Sequence, residues 1–267
     1  MMNACAPARA FDLIADSYDA TFTESVIGRA QRNAVWRELQ QAFTPGDRVL
    51  EINCGTGVDA LMLAQRGIAV DACDVSPRMI AVAEQRRARE SEGLPVNFRV
   101  LAAEDLHELE GTYDGAFSNF GGLNCVPDLR CVAVELGRMV RPGGSLVICL
   151  AGRICAWELL WYGVRGRFRR ATRRWKGQAD GKLREGYSVP VFYPTSKQLA
   201  RALSPWFRLV QRRGIGVMVP PSYAQGSLLG RPVFVRFAER CDRFLGETPG
   251  IRAAADHALF VFERSRA

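Results

Sequence analysis

The sequence lacks several features that define common classes of protein. Its eight cysteines are scattered and no two form a C-x-x-C pair, which argues against a disulfide framework and a zinc site. We therefore expect reduced, mostly buried thiols and no bound metal. The first residues, MMNACAPARAFD, contain no basic segment followed by an apolar one. No secretory signal is predicted, and we expect a cytoplasmic protein.

Positive charge is present but unevenly placed. The net charge is +8, and ten Lys or Arg side chains between residues 151 and 190 stand against three acidic ones. This distribution indicates one local basic element rather than a whole basic face. Arg29 and Arg32, in a predicted helix, are expected to be solvated. With 267 residues and 48% apolar content, the chain can bury one sizeable core, so we predict a single domain with insertions.

The chain is organised around the stretch from Arg48 to Gly67, RVLEINCGTGVDALMLAQRG. Apolar residues typical of a strand lead into a turn of small residues, and apolar residues at helical spacing follow at once. Glycine suits this turn because it has no Cβ, so a ligand can lie against bare backbone at the N-terminus of the helix. The pattern predicts strand, tight turn and helix, with a cofactor at the turn.

Two classes of cofactor use such a turn. A dinucleotide site requires G-x-G-x-x-G or a terminal Ala, which Gly55, Gly57 and Ala60 match only weakly. The sequence also resembles the acid-x-G-x-G-x-G turn of class I S-adenosylmethionine (SAM)-dependent methyltransferases, through Glu51, Asn53 and the same two glycines. Asn tolerates a left-handed backbone better than other non-glycine residues. A carboxylate before the turn suits a ligand with an ammonium group and would repel pyrophosphate, which favours SAM.

This resemblance implies a fold and a domain organisation. The expected fold is α/β and Rossmann-like, with a seven-stranded, doubly wound, mostly parallel sheet, an antiparallel last strand and helical lid insertions. We assign residues 1–267 to one domain, with an N-terminal helical cover at 10–45 and the cofactor-binding half at 46–152. Insertions at 153–195 and 220–256 would form a lid over the substrate. The implied cofactor is SAM, with S-adenosylhomocysteine as its product and no metal.

An acid at the tip of the second strand is the expected contact to the ribose. The strand from Ile68 to Val75 contains Asp74 near its end. A carboxylate there faces the sugar of a ligand that lies across the sheet, and it can accept hydrogen bonds from both hydroxyls. Asp71 would point to the other face of the sheet. We therefore predict Asp74 and Val75 as cofactor contacts.

The N-terminal cover and two other strand ends supply the remaining predicted contacts. The segment AFDLIADSYDATF resembles the cover of many small-molecule methyltransferases, in which the Tyr hydroxyl reaches SAM, and this implies a role for Tyr18. The same spacing also fits an amphipathic helix that only covers the sheet. The resemblance places the adenine contact near Ala103 and Glu104, because Ala102 occupies the usual position of an acid. Asn119 is expected near the methionine portion of SAM.

The insertion after the fifth strand carries the residues expected to meet a substrate. Five of its side chains fall on one stripe of a predicted helix: Trp157, Leu160, Trp161, Val164 and Phe168. Three interpretations are open, namely core packing, a lid over a substrate pocket, or a membrane-surface helix with basic flanks at residues 154–176. The predicted substrate contacts are Arg153, Trp157, Trp161 and Tyr223.

Methyl transfer from SAM requires alignment of the acceptor and exclusion of water more than it requires acid–base chemistry. A hydroxyl acceptor would nevertheless be helped by a general base. The candidates are His257, Tyr162 and Tyr193, and the sequence assigns the role to none of them. Asp256 and His257 also fit a purely structural pair.

The sequence favours a methyltransferase that acts on an apolar or aromatic small molecule, including lipid-like ones, with O-methylation ahead of N- or C-methylation. Nucleic acid is disfavoured because no proline follows Asn119, so the Asn-Pro-Pro-Tyr motif of amino-methylating nucleic-acid enzymes is absent. Two alternatives are open. One is an RNA methyltransferase whose basic cluster at 165–176 binds phosphates, and the other is a non-catalytic SAM-binding module whose lid recruits a membrane or protein partner.

Overall fold

The computed structural model describes residues 5–90, 93–184 and 187–266. Within them the chain forms a seven-stranded sheet and a two-stranded hairpin. The strands are β1 (Arg48–Ile52), β2 (Ala69–Asp74), β3 (Val96–Val100), β4 (Tyr113–Ser118), β5 (Val140–Ala151), β6 (Gln178–Arg184), β7 (Tyr187–Phe192), β8 (Phe207–Ile215) and β9 (His257–Arg264). The α-helices are α1 (Cys5–Asp12), α2 (Ala15–Tyr18), α3 (Val26–Ala42), α4 (Val58–Ala64), α5 (Pro77–Glu90), α6 (Leu129–Met139), α7 (Ala156–Gly163), α8 (Phe168–Ala171), α9 (Ser196–Leu203) and α10 (Pro232–Leu245).

The large sheet has the strand order β3-β2-β1-β4-β5-β9-β8. Neighbouring strands from β3 to β5 are parallel, and β9 pairs antiparallel with both β5 and β8. The predicted α/β fold, with a mostly parallel sheet and an antiparallel last strand, is confirmed. Because the strand order reverses between β1 and β4, the carboxyl ends of these strands open into a crevice, the usual ligand site in such a sheet.

Both faces of the sheet are buried, as its apolar strands require. Leu50 and Ile52 of β1 pack into the core layer on one face, and Val49 packs into the layer on the other face. Full burial of each such side chain contributes about 1.5–3 kcal/mol. The seven cysteines with described side chains are free thiols. In the described part of the chain, no helix is both long and apolar enough to cross a bilayer.

The N-terminal cover is broken, and the prediction of one amphipathic helix across it is wrong. A turn separates α1 from α2, and one π-helical turn lies between α2 and α3. Two acidic side chains fix this cover in place. Asp12 accepts a hydrogen bond from Ser76 Oγ (2.6 Å), and Asp19 accepts one from Thr56 Oγ1 (2.8 Å). The cover is thereby held over the carboxyl edge of the sheet.

The insertion at 153–195 is only partly helical. The predicted single helix is wrong beyond Gly163, where α7 ends, and Phe168 begins the separate helix α8. Gly166 lies between them with a φ of +66°, a conformation that interrupts helices. The insertion then continues as the β6–β7 hairpin, which the sequence pattern does not predict. In the insertion at 220–256, α10 packs against α3.

Candidate functional site

A cleft lies at the carboxyl ends of the parallel strands, where ligands bind in open α/β sheets. Eight of the ten predicted cofactor contacts line it: Tyr18, Asn53, Gly55, Asp74, Val75, Ala103, Glu104 and Asn119. The sequence pattern does not predict the other lining residues as contacts: Pro7, Phe11, Met79, Phe120, Gly121, Gly122, Cys125 and Val126. The other two predicted contacts, Glu51 and Gly57, lie outside the wall of the cleft.

The turn between β1 and α4 has a left-handed backbone at three positions. Asn53, Gly55 and Gly57 have φ angles of 60°, 54° and 73°. A Cβ on Gly55 would meet no atom within 4 Å, so this glycine leaves open space at the cleft. A Cβ on Gly57 would come within 2.6 Å of Phe98 Cζ. Gly55 therefore gives access to the backbone, whereas Gly57 permits close packing.

Alanine at Gly57 should destabilise the fold by about 2–3 kcal/mol, because its methyl group would overlap Phe98 and the left-handed backbone would be strained. Alanine at Gly55 should cost only about 1 kcal/mol of stability but should weaken SAM binding, because the methyl group would occupy space at the cleft wall. Urea unfolding and calorimetric titration with SAM measure the two effects. Equal losses of stability in the two variants would contradict the assignment of close packing to Gly57 and open backbone to Gly55.

Asp74 lies at the end of β2 with its carboxylate against the turn. Its Oδ2 accepts a hydrogen bond from the Gly55 N–H (2.9 Å), and its Oδ1 accepts one from the Ser76 N–H (2.9 Å). Burial raises the pKa of Asp74, and these two hydrogen bonds oppose the rise. Each oxygen keeps a lone pair for a further donor. Asp71 instead pairs with Arg48 (2.5 Å), away from this cleft.

Two buried acceptors at the turn have no hydrogen-bond partner among the described residues. One is Asn53 Oδ1 in the cleft wall, and the other is Glu51 Oε2 behind it. Burial and the negative charge of Asp59 raise the pKa of Glu51 well above its ordinary range, against the influence of Arg32. A buried acceptor without a donor costs roughly 1–3 kcal/mol. Because Asn53 lines the cleft and Glu51 does not, Asn53 Oδ1 is the acceptor that suits a ligand with N–H or ammonium donors.

A buried polar network behind Asn119 contradicts the prediction that Arg32 is solvated. Asp59 accepts hydrogen bonds from Arg32 (2.6 Å), Trp36 Nε1 (2.6 Å) and Asn119 Nδ2 (2.8 Å). Arg32 is only 6% exposed, and its guanidinium lies over the ring of Phe120 (5.0 Å). Asn119 Oδ1 accepts the Phe120 N–H (2.8 Å). The network thus fixes the orientation of Asn119 at the cleft.

The ring of Phe120 bounds one end of the cleft. Phe120 has a φ of +45°, which is strained for a bulky residue, and such strain is concentrated at functional sites. The ring packs edge-on against Phe22 (5.0 Å) and His257 (5.5 Å). His257 begins β9 and pairs in register with Ala151 at the end of β5. His257 therefore lies at the same edge of the sheet as the cleft.

A buried ion-pair network lies behind His257. Its Nδ1 is 3.3 Å from Asp256 Oδ2, and Asp256 Oδ1 accepts a hydrogen bond from Arg174 (2.8 Å). Arg174 also pairs with Glu158 of α7 (2.9 Å), which pairs with Arg173 as well (2.6 Å). Although burial opposes it, the neighbouring imidazole of His257 and guanidinium of Arg174 lower the pKa of Asp256 below its ordinary range. The network connects the insertion at 153–195, the predicted lid, to β9.

The predicted aromatic side chains of the lid lie outside the cleft wall. Trp161 and Tyr162 pack against Tyr223, with ring centroids 5.6 and 5.7 Å apart, and we name these three residues the lid aromatic cluster. Burial raises the pKa of Tyr223, and Cys155 and Asp256 add to this rise. Trp157 Nε1 is buried without a partner in the described part of the chain.

Two further predicted residues, Arg153 and Tyr193, line a separate cleft between α6 and α9. Arg153 donates to the Trp175 carbonyl (3.2 Å). The ring of Tyr193 lies against the guanidinium of Arg174 (5.6 Å). This second cleft meets the first at Val126. The structure therefore does not bring Arg153 and Tyr193 together with the predicted cofactor contacts.

The chain is similar to methyltransferases in sequence and in fold. Residues 49–144 match the family model of a methyltransferase domain. The demethylmenaquinone methyltransferase of Thermobifida fusca (strain YX) is 30% identical over 212 residues, which cover 76% of this chain and 86% of that protein. The demethylmenaquinone methyltransferase of Clavibacter sepedonicus is 34% identical over 142 residues, so that this match spans about half of each chain, 52% and 55%.

A solved structure is similar to the chain over almost its whole length. The S-adenosylmethionine-dependent methyltransferase from Mesorhizobium loti superposes with a TM-score of 0.59 and 18% sequence identity. The match covers 90% of this chain and 100% of that one. At this identity the likeness shows the fold alone.

Proposed function

Because the chain belongs to the class I SAM-dependent methyltransferases, we propose that it transfers the methyl group of SAM to a hydroxyl oxygen of an apolar or aromatic small molecule. The observation that carries this proposal is the single cleft that combines a turn of open backbone, an acid at the tip of β2 and an aromatic wall. The first two features suit the cofactor. The aromatic wall suits the acceptor.

In this proposal SAM lies across the carboxyl ends of the parallel strands. Asp74 accepts the two ribose hydroxyls, and the backbone at Ala103 lies against the adenine. The unpartnered Oδ1 of Asn53 accepts the ammonium group of the methionine portion, with Tyr18 and Asn119 beside it. Bound SAM supplies a methyl group on a sulfonium, which needs no metal for activation.

The acceptor lies against Phe120, on the side of His257. Phe22 extends this apolar environment, which positions the acceptor and excludes water. The Nδ1 of His257 faces Asp256, which leaves Nε2 as the atom that takes the proton of the acceptor hydroxyl. His257 is thus the base that we propose among the three candidates.

The curated relatives support an aromatic acceptor. Both reported relatives are named demethylmenaquinone methyltransferases, and a quinone is a flat, largely apolar ring system. These names identify the ring system of the acceptor and not oxygen as the atom that is methylated. The reduced form of a quinone carries hydroxyl groups, which a general base can deprotonate. An aromatic diol of this type is therefore the acceptor to test first.

Incubation with methyl-labelled SAM and a panel of naphthoquinols, phenols and amines tests the proposed function. We expect the label in an apolar aromatic product, with the methyl group on oxygen in its NMR spectrum. Label on carbon or nitrogen alone would overturn the choice of acceptor atom. Tight binding of NADH without binding of SAM in a calorimetric titration would contradict the proposal as a whole.

Replacement of His257 with Asn should lower kcat for a hydroxyl acceptor roughly a hundredfold, because the proton loses its acceptor. The affinity for SAM should stay the same, and kcat should recover as the pH approaches the pKa of the acceptor hydroxyl. His107 is the other of the two histidines in the sequence and is exposed between β3 and β4. The matched variant His107→Asn should leave kcat unchanged. A kcat unaffected by His257→Asn would rule out this base.

A further inference from the structure

The segment at residues 160–176, which we name the basic lid segment, contains seven basic side chains and no acidic one. Two of the seven pair with Glu158, as described above, and Arg165 lies over the ring of Trp161 (3.8 Å). Four others are exposed and form no ion pair with any described residue: Arg167, Arg169, Arg170 and Lys176. Their charge is therefore available to a partner outside the chain.

Exposed apolar side chains lie among these charges. Leu160, Val164 and Phe168 expose 58%, 73% and 69% of their surface, and Trp175 exposes 51%. Single exposed apolar residues are ordinary in a folded protein, whereas a concentration of them marks an interaction surface. Val164 and Phe168 lie at the two ends of the turn from α7 to α8. The basic lid segment therefore combines an apolar tip with flanking cations.

We propose that the basic lid segment docks on the surface of an anionic lipid bilayer. Segments that lie in the headgroup layer place apolar side chains among the acyl chains and Lys or Arg among the phosphates. RNA would satisfy the cations, but it would leave the aliphatic side chains of Leu160 and Val164 in water. An anionic bilayer accounts for both the charge and the exposed apolar residues.

The position of this surface connects it with the acceptor side, and this connection rests on the proposed function. α7 carries the exposed Leu160 next to Trp161 and Tyr162 of the lid aromatic cluster. The same helix carries Glu158, which joins the network behind His257. A lipid-soluble acceptor that leaves the bilayer would therefore meet the lid aromatic cluster first. The docking surface itself does not depend on the reaction.

Sedimentation of the full chain with vesicles tests the proposal. We expect binding to phosphatidylcholine vesicles that contain phosphatidylglycerol, little binding to phosphatidylcholine alone, and weaker binding as the salt concentration rises. The double variant Val164→Asp, Phe168→Asp should lower the partition coefficient by roughly tenfold or more, because it removes apolar surface and adds negative charge. Val134 of α6 is 50% exposed, and the control variant Val134→Asp should bind as the wild type does.

Four results would separate the possibilities. Equal vesicle binding by the wild type and the double variant would overturn the proposal, and so would salt-sensitive binding to an RNA oligonucleotide without binding to vesicles. An unchanged affinity for SAM shows that the double variant is folded. Vesicle binding without methylation of any acceptor would remove the proposed function and leave the docking surface in place. Methylation of a water-soluble acceptor without vesicle binding would support the proposed function and overturn the docking surface.

Discussion

Alanine in place of Asp74 should weaken the binding of SAM by about a thousandfold, or about 4 kcal/mol. A hydrogen bond to a charged group contributes about 1.5–3 kcal/mol, and the two ribose hydroxyls would form two such bonds with this carboxylate. The carboxylate also accepts the Gly55 N–H, so its removal loosens the turn that we propose as the contact to the other end of the cofactor. Calorimetric titration with SAM and with S-adenosylhomocysteine measures the loss.

Asp71 provides the matched control for this variant. It lies on the same strand, but its carboxylate accepts hydrogen bonds from Arg48 and Asn97 outside the cofactor cleft. Asp71→Ala should therefore change stability slightly and leave the affinity for SAM unchanged. If Asp71→Ala weakened binding as much as Asp74→Ala did, the loss would reflect damage to β2 and not a ribose contact. An unaltered affinity in Asp74→Ala would refute the assigned contact.

Methionine in place of Arg174 should lower the free energy of unfolding by about 3–5 kcal/mol, because removal of one partner leaves buried charges without compensation. Arg174 pairs with Glu158 and Asp256, and the side chains of these acids are 1% and 5% exposed. Arg173, which is 36% exposed and pairs with no described acid other than Glu158, provides the comparison. Arg173→Met should cost about 1 kcal/mol or less. Urea unfolding compares the two variants. Equal losses in the free energy of unfolding would contradict the central role of Arg174 in this buried network.

The pH dependence of the Arg174 effect follows from Asp256. The pKa of Asp256 in the folded state lies below its ordinary value, so its ionised form stabilises the fold above about pH 4. This contribution is lost as the pH falls through the folded-state pKa. Removal of Arg174 raises that pKa. The difference in stability between the wild type and Arg174→Met should thus be largest near neutral pH and should shrink in acid, and a difference that grew in acid would exclude this ion pair as the cause.

The cofactor half can be predicted from sequence because its signals are local. The strand, the small-residue turn and the helix are adjacent in the chain, and the carboxyl ends of parallel strands meet at one edge. The pattern therefore indicates that Asn53, Gly55 and Asp74 lie close together, and the structure places them in one cleft. The pattern cannot give the depth of Glu51, because that depth depends on how α3 and α4 pack behind the turn.

Arg32 shows why part of the site cannot be predicted. Its partner Asp59 is 27 residues away on α4, so the charge pattern of α3 alone indicates a solvated side chain. The hydrogen bond that links this pair to Asn119 spans a further 60 residues. These contacts arise only when three separate elements pack together. A short-range pattern contains no signal for such a network.

The insertion at 153–195 does not form the single helix that its sequence pattern predicts, and the structure shows the physical reasons. The apolar residues from Trp157 to Phe168 have helical spacing, which predicts one helix. That spacing does not show that α7 ends at Gly163 and that the chain bends at Gly166 before α8. Arg174 belongs to a basic cluster in the sequence, but in the structure it is buried and pairs with Asp256, 82 residues later. Pro190 lies within β7, and a proline argues against a strand. The hairpin is therefore not predictable from its own residues.

The structure of the chain in complex with S-adenosylhomocysteine is the most direct test of the proposed cofactor site. We predict density for the ligand in the cleft between Asn53, Asp74 and Asn119, with both ribose hydroxyls within hydrogen-bond distance of the Asp74 carboxylate and the amino group close to Asn53 Oδ1. Density for the ligand at any other place in the molecule, with this cleft left empty, would contradict it.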